Sequence, residues 1–381
     1  MSTCRYPCTA EVKSEGFPEF LSRELGAPRR NIQAFARELG SAFDAPFVTL
    51  VNSGSSAMLA AALACRQQTK AGEALVAGYT FPTAISALQL AGYSVRIVDT
   101  ERDGFCMDPD ALRAALTART RVVCFTHFLG FPAPAEALCA IARQHGLLVI
   151  QDACETMNVH VNGRPTHKLG DYTTLSFYHP HHLSSYGGGA VLCHQQDQYH
   201  LVESASHWGR ECTCHFDAAT CKAPPGMNHN FWYVRPGQNL EMSELNACFG
   251  RFQLQTFPHQ EQRRQENYAI LHDALKRVVK RRAGIRIYAA SANVSPFVFP
   301  ITTYEQDVLA LAERLRQRGV ESRTLMGGVV SRQPAFARLK HDGLANCTRQ
   351  SDASLFVGCH QTLPAEDVAS VAAVLEEELS K

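Results

Sequence analysis

The sequence lacks any apolar run long enough to cross a bilayer, and its charges nearly cancel. Its 381 residues include 37 Lys and Arg against 36 Asp and Glu, a formal net charge of +1 at pH 7. Such a balance gives no reason to expect a nucleic-acid partner. The opening residues, MSTCRYPCTAEVK, also lack the apolar core of a signal peptide. We therefore expect a cytoplasmic protein with no membrane or nucleic-acid partner.

Cysteine, by contrast, is abundant for a chain expected in the cytosol, with 14 residues. The cytosol keeps thiols reduced, and a chain of this length with 45% hydrophobic residues can build its core without disulfides. Each thiol is therefore either packed in the core or used as a ligand. Five cysteines stand among apolar residues and are predicted to be core: Cys65, Cys124, Cys139, Cys193 and Cys248.

Strand patterns alternate with helical patterns from residue 47 onward, which predicts crossover units and a mostly parallel sheet. We expect a large α/β domain over residues 1–258, with an N-terminal extension and an irregular cysteine-containing loop at 205–239. An Arg- and Gln-rich helix at 260–282 then leads into a small α/β domain over 259–381.

Chemistry-bearing residues concentrate between residues 147 and 191. A strand pattern ends at Asp152, with Cys154 two residues on, and a second strand pattern at 173–177 precedes His179, His181 and His182. Ligands of open α/β sheets bind beyond the carboxyl ends of the strands. The acid, the thiol and the imidazoles are therefore predicted to face one crevice.

A second candidate site follows the strand pattern at 47–51. There Ser53, Gly54 and Ser55 form a small polar turn before an Ala- and Leu-rich helix. Backbone N–H groups at a helix N-terminus bind anions. The same residues also cap helices that have no ligand, so the motif alone leaves both interpretations open.

Taken together, NSGSSA, DAC, SFYHPHHL and the glycine run at 187–189 resemble the DegT/DnrJ/EryC1/StrS family of sugar aminotransferases and dehydratases. The resemblance runs from about Arg30 to the end of the chain. It implies a fold-type-I, pyridoxal-phosphate-dependent α/β architecture with a large doubly wound sheet domain and a small C-terminal domain.

The resemblance also implies roles for individual residues. Asp152 would face the pyridine nitrogen of the cofactor and keep it protonated. Phe81 would stack on the ring, although a core phenylalanine is an equal alternative. Three residues, Gly54, Ser55 and Ser176, would hold the cofactor phosphate. Asn239 would reach the phosphate of a neighbouring subunit, which implies a homodimer with shared active sites.

The chain departs from the family at the lysine that binds the cofactor covalently. That position, five residues after Ser176, is occupied by His181, and no lysine occurs between Lys168 and Lys222. The departure is typical of dehydratases that hold free pyridoxamine 5'-phosphate. His181 would then act as the base, with an imidazole titrating near neutrality. In an extended segment His182 would point the opposite way. Alternatively, the three histidines line a metal or phosphate site.

Cys154, the pair Cys212 and Cys214, and Cys221 occur in the order found in the iron–sulfur branch that dehydrates CDP-4-keto-6-deoxyglucose at C3. The resemblance implies a [2Fe–2S] cluster, although a zinc ion would take the same four thiolates. The expected function is C3 dehydration of a 4-keto-6-deoxy nucleotide sugar. Electrons would come from an NAD(P)H-dependent flavin/iron–sulfur reductase, because this chain carries no flavin or dinucleotide fingerprint.

Two rival functions remain open at the level of sequence. One is a non-redox, histidine-type dehydratase whose cysteines are idle or bind zinc. The other is a non-catalytic family member that serves as a binding or regulatory protein. The substrate also stays open between a nucleotide sugar and an aminoglycoside-type ligand, because the turn at Ser184–Gly187 and the first 30 residues depart from the family pattern.

Overall fold

The computed structural model describes residues 4–26, 29–158, 160–211, 223–289 and 296–381. Among them the helices are α1 (Phe17–Glu24), α2 (Arg30–Phe43), α3 (Gly54–Gln68), α4 (Pro82–Leu90), α5 (Pro109–Ala115), α6 (Ala135–Gln144), α7 (Gln196–Ser206), α8 (Glu244–Leu254), α9 (Phe257–Arg281), α10 (Val308–Gln317), α11 (Ala345–Ala353) and α12 (Ala365–Ser380). None of these helices is long and apolar enough to cross a membrane.

The described strands form one large sheet, one small sheet and a short hairpin. Their bounds are β1 (Phe47–Val51), β2 (Glu73–Ala77), β3 (Ser94–Val98), β4 (Thr120–Thr126), β5 (Leu148–Asp152), β6 (His160–Val161), β7 (Arg164–Pro165), β8 (Tyr172–Ser176), β9 (Gly189–Cys193), β10 (Ile285–Ile287), β11 (Phe299–Thr303), β12 (Ser322–Thr324), β13 (Lys340–His341) and β14 (Ser354–Val357).

The large sheet has eight strands in the order β1-β9-β8-β5-β4-β2-β3-β13. Neighbours from β8 to β13 pair in parallel, while β9 runs antiparallel to both β1 and β8. Helices cover the faces, so the central strands are buried throughout, as parallel sheets require. The predicted α/β fold with a mostly parallel sheet is confirmed.

Helix α3 lies close to the sheet because its inner face is built from alanines. Ala57, Ala60, Ala61 and Ala64 are all fully buried. Side chains this small let the helix backbone approach the strands, and the approach brings the amino end of α3 to the ends of β5 and β8.

The smaller sheet, β10-β11-β14-β12, is antiparallel and packs with α9 and α12. Two segments connect the part of the protein built on the large sheet with the part built on the small sheet. Near the N-terminus, Tyr6 pairs with Val320, which shortly precedes β12 of the small sheet. In the opposite direction, β13 extends the large sheet beside β3, and Cys347 donates its backbone N–H to Asp99 at 2.9 Å. The small domain is therefore anchored to the large one at several points besides α9.

Candidate active site

Three elements meet at the carboxyl edge of the large sheet. Asp152 ends β5, Ser176 ends the neighbouring strand β8, and Gly54 begins α3. A Cβ atom placed on Gly54 would lie 2.7 Å from Ser176 Cβ and 3.1 Å from Cys154 Sγ. Gly54, Ser176 and Cys154 therefore touch, and the approach leaves no room for a side chain on Gly54. The sequence-predicted residues do converge on one crevice.

The amino end of α3 has the features of a phosphate site. Ser53 caps α3, a helix of 15 residues, and its Oγ accepts the Ser56 N–H at 3.1 Å. Ser55 Oγ donates to Thr83 Oγ1 at 3.2 Å, and Ser176 Oγ accepts the Tyr178 N–H at 3.3 Å. Helix N–H groups and several hydroxyls facing one point fit a phosphate dianion.

Asp152 is a buried carboxylate whose partners are neutral. Its Oδ1 accepts the Cys154 N–H at 3.1 Å. Burial raises the pKa of the carboxyl, and the groups that oppose the rise are Cys154 and the Thr174 hydroxyl. A protonated pyridine nitrogen would supply the positive charge that this carboxylate lacks. The role of Asp152 at the cofactor ring stays a prediction, with which its burial and neutral partners are compatible.

Phe81 lies at the start of α4 with 62% of its surface exposed. Its neighbour Thr83 is the residue hydrogen-bonded to Ser55 at the amino end of α3. A core phenylalanine would be buried, so that alternative is wrong. The exposed ring beside the candidate phosphate site is available to stack on an aromatic cofactor.

His181 is held by a hydrogen bond of 2.5 Å between its Nδ1 and the backbone carbonyl of Cys154. Because a carbonyl only accepts, the proton lies on Nδ1 and the lone pair on Nε2. Burial lowers the pKa of His181 to about 4, with the charges of Arg264 and His179 acting in the same direction and the Cys154 hydrogen bond opposing them. The expectation of titration near neutrality is therefore wrong. The imidazole is neutral at pH 7, with Nε2 ready to accept a proton.

The histidine segment is a series of turns and bends, not an extended strand. As a consequence, the rings of His181 and His182 both pack on Phe297, at centroid distances of 5.4 and 5.6 Å. The opposite orientation of His182 was expected only for an extended segment, and that condition is not met here. In the described part of the chain, no group of three or more His, Cys, Asp or Glu side chains could hold a metal ion. The metal alternative for the three histidines thus has no geometric support.

A cavity of about 390 Å³ adjoins the three histidines. Its other walls come from the N-terminal segment at 10–15, the junction of α8 and α9, and the pair Gln361 and Thr362. The cavity is large enough for a sugar, and it is the candidate substrate site. The sequence did not predict the N-terminal wall, because the first 30 residues carry no clear pattern.

Of the four predicted cluster ligands, only Cys154 belongs to the described residues. Cys212, Cys214 and Cys221 lie outside them. Burial raises the pKa of the Cys154 thiol well above its ordinary value, and Asp152 raises it further.

Asn239 and Arg332 each bond to another residue of this chain. Asn239 is exposed and pairs with His207 through the backbone, and its Oδ1 accepts the Glu241 N–H. Arg332 forms a two-pronged ion pair with Asp352.

Glu155 is a site residue that the sequence did not predict. Its Oε2 accepts the Leu129 N–H at 3.0 Å, and burial raises the pKa of its carboxyl to about 7. Leu129 has a φ of 56°, so the hydrogen bond holds a strained turn after β4. The signal was present in the letters DACE, where a second acid follows Asp152 by three residues.

Comparison with known proteins agrees with this geometry. The profile of the DegT/DnrJ/EryC1/StrS aminotransferase family matches residues 14–376. The chain therefore belongs to this family. A relative from Saccharopolyspora spinosa, dTDP-4-dehydro-2,6-dideoxy-D-glucose 3-dehydratase, is 31% identical over 92% of this chain and 80% of its own length.

A GDP-4-keto-6-deoxy-D-mannose 3-dehydratase from Yersinia pseudotuberculosis is 24% identical over 91% of both chains. Among solved structures, the E. coli GDP-4-keto-6-deoxy-D-mannose-3-dehydratase with bound hydrated pyridoxal phosphate superposes with a TM-score of 0.86 at 20% identity, covering 98% of this chain and 100% of that one. The fold-type-I architecture is thus shown. These names specify dTDP- and GDP-linked sugars, not the CDP-linked substrate of the iron–sulfur branch.

Proposed function

We propose that the protein is a nucleotide-sugar 3-dehydratase that uses pyridoxamine 5'-phosphate and acts on a 4-keto-6-deoxy sugar. The observation that carries the proposal is His181, bonded through Nδ1 to the Cys154 carbonyl, at the position where aminotransferases of the family have lysine. The dehydratases named above support the reaction, and their dTDP and GDP substrates support a nucleotide-linked sugar over an aminoglycoside.

Five residues bind the cofactor, at its phosphate, its ring nitrogen and its ring face. Gly54, Ser55 and Ser176 hold the cofactor phosphate at the amino end of α3, and Asp152 holds the ring nitrogen. Phe81 covers the exposed face of the ring. When bound, pyridoxamine phosphate would supply an amine that condenses with the sugar ketone and the electron pair that replaces the adjacent hydroxyl, and the cofactor would be left as pyridoxal phosphate and the amine released as ammonia.

His181 moves the proton. The hydrogen bond from Nδ1–H to the Cys154 carbonyl keeps the imidazole in one tautomer and one orientation. Nε2 is then the atom that accepts a proton from the reacting centre and returns it to the leaving hydroxyl. Phe297 covers the ring and excludes water from it.

The experiment incubates purified protein with pyridoxamine phosphate and dTDP-, GDP- or CDP-linked 4-keto-6-deoxyhexose, and mass spectrometry detects sugar that has lost its C3 oxygen. We expect His181→Asn to abolish this product and the exposed His145→Asn to retain it. Full activity in His181→Asn, or no reaction with any of the three sugars, would contradict the proposal. The latter result is also the one expected of a non-catalytic family member.

The iron–sulfur mechanism is a second candidate, supported by the order of Cys154, Cys212, Cys214 and Cys221. The relatives support the non-redox reaction better, because their names include neither a cluster nor a CDP sugar. Anaerobic purification with metal analysis and a visible spectrum separates the two. A brown protein that needs an added reductase for turnover favours the cluster. A colourless protein that converts substrate with pyridoxamine phosphate alone favours the non-redox reaction, with idle or zinc-bound cysteines.

The remaining proposal is a homodimer with shared active sites, in which Asn239 reaches the cofactor phosphate of the neighbouring subunit. The exposed position of Asn239 supports it. We expect a dimer in analytical ultracentrifugation. Mixing Asn239→Ala with His181→Asn subunits distinguishes shared from independent sites, since only shared sites give activity that departs from the sum of the two variants.

A further inference from the structure

Arg264 of α9 is a guanidinium buried behind the histidine segment, with only 1% of its surface exposed. Its Nη1 donates to two backbone carbonyls, that of Phe297 at 3.0 Å and that of Pro296 at 3.3 Å. Nε and Nη2 have no hydrogen-bond partner in the part of the chain that the structure describes. Burial lowers the pKa of this arginine to about 10, which reflects a charge without full compensation.

Burying such a charge is costly, because the ion loses its water and bonds two neutral carbonyls, while the charge of Glu261 offsets only part of the cost. An apolar side chain of similar volume would fill the same space without that cost. It would, however, leave the carbonyls of Pro296 and Phe297 without their donor. The specific effect of the arginine is therefore to fix the backbone of these two residues.

Phe297 is the side chain that this anchor places on the base. It belongs to the segment that enters β11, is 8% exposed, and packs on His181 at 5.4 Å with an angle of 40° between the rings. Across the imidazole, Nδ1 is held by the Cys154 carbonyl at 2.5 Å. The large domain thus holds one edge of His181, and the small domain holds its face.

We infer that Arg264 is a positioning residue for the proposed dehydration: through Phe297 it fixes the orientation of the His181 ring. The catalytic part of the inference rests on the proposed function of His181 as the base. The geometric part, that Arg264 fixes the orientation of the His181 ring, does not. Without the guanidinium, the Phe297 backbone is no longer fixed and the Phe297 ring can move away from His181. The imidazole can then rotate, so Nε2 no longer points in one direction. A displacement of about 1 Å at a reacting group can cost about 100-fold in rate.

The variants are Arg264→Met, Arg264→Lys and Phe297→Leu, with Arg277→Met as control, because Arg277 is an exposed arginine of the same helix. Histidine labelled with ¹³C reports the ring-current shift of His181, assigned by its loss in His181→Gln. This signal is read without cofactor or substrate. Circular dichroism and thermal unfolding establish that each variant is folded.

We expect Phe297→Leu to remove the part of the ring-current shift that Phe297 causes, leaving that of Tyr178, and Arg264→Met to reduce it. Both should lower kcat by about 10- to 100-fold with KM changed less than about threefold, since orientation acts on the chemical step. Arg264→Lys should recover part of both, because an ammonium can still donate to one carbonyl. Arg277→Met should match the wild type.

A folded Arg264→Met with wild-type His181 signals would overturn the inference, as would a loss of kcat reproduced by Arg277→Met. If Arg264→Met does not fold, Arg264→Lys and Phe297→Leu decide: unchanged signals in Phe297→Leu overturn it. If no variant, nor the wild type, converts any keto-sugar but the shifts change as expected, the positioning stands and the proposed function fails.

Discussion

Substitution of Gly54 by alanine tests whether the crevice at the amino end of α3 binds the cofactor phosphate. The new Cβ would lie 2.7 Å from Ser176 Cβ and 3.1 Å from Ser176 Oγ and Cys154 Sγ. Carbon atoms in contact prefer about 3.5–4.0 Å, so Ser176 must move by roughly 1 Å. The φ of Gly54 is one that alanine adopts, and the effect is therefore steric.

The magnitude follows from two opposing terms. Overpacking of this kind costs about 1–3 kcal/mol. Alanine at an early helix position regains roughly 0.5–1 kcal/mol relative to glycine. The free energy of unfolding should therefore fall by about 1–2 kcal/mol. The larger effect is on binding, because loss of one charge-assisted hydrogen bond to phosphate costs about 1.5–3 kcal/mol, or roughly 10- to 150-fold in Kd.

Equilibrium dialysis of cofactor-free protein with pyridoxamine phosphate measures the Kd, and urea unfolding measures stability. Gly327→Ala is the matched control, because its Cβ would meet only Gln333 Nε2, at 3.7 Å. It should leave both quantities unchanged. Wild-type affinity in Gly54→Ala would refute the assignment of the crevice. Equal weakening by Gly327→Ala would show that the effect is not local.

Three further predictions concern stability and stacking. First, acid should destabilise the cofactor-free protein between about pH 6.5 and 4. Burial lowers the pKa values of His127, His167, His181 and His360 to about 4, so the unfolded chain binds protons in that window that the folded chain does not. Urea unfolding should show the free energy of unfolding rising with pH by up to about 1.4 kcal/mol per pH unit for each histidine. Glu155 opposes part of this rise, because its raised pKa makes the folded state bind a proton that the unfolded chain has lost. A flat profile would contradict the prediction. Second, Phe81→Ala should weaken pyridoxamine phosphate binding by about fivefold, for roughly 1 kcal/mol of stacking, without changing the melting temperature, because the ring is exposed. Binding as tight as in the wild type would remove Phe81 from the site. Third, Arg251→Met should lower the free energy of unfolding by about 2 kcal/mol, because Arg251 bonds Glu38 and Glu24 and so joins α8 to α2 and α1; Arg277→Met, which is exposed on α9, should not.

The sequence predicted the large sheet well because its strands are continuous apolar runs with helices between them. It also predicted the convergence of Asp152, Cys154 and Ser176, because parallel strands end at one edge of a sheet. Strands β10, β12 and β14 have three or four residues each, too few to show a period. Strand β9 directly follows the glycine run, where turn and strand patterns overlap.

Contacts between distant segments account for most of what the sequence did not predict. Phe297 and Arg264 reach His181 from the small domain and its linking helix, and no spacing in the chain relates these three positions. The low pKa of His181 results from that burial, so the motif alone gave the residue but not its protonation state. Similarly, the pairing of Tyr6 with Val320 joins the N-terminal segment to the small domain.

The replacement of lysine by His181 changes how the cofactor must be held. A lysine fixes its cofactor covalently, whereas a neutral imidazole hydrogen-bonded to Cys154 contributes only a lone pair. Under the proposed function, the helix N-terminus, the hydroxyls, Asp152 and Phe81 would together supply the whole binding free energy of the cofactor. Dialysis at pH 7.5 should therefore release pyridoxamine phosphate at a rate that Gly54→Ala and Phe81→Ala increase. His181→Lys should retain pyridoxal phosphate through dialysis, with the absorbance of a covalent imine that borohydride removes. Retention of a borohydride-reducible cofactor by the wild type would contradict the non-covalent site, because it would require a lysine within reach.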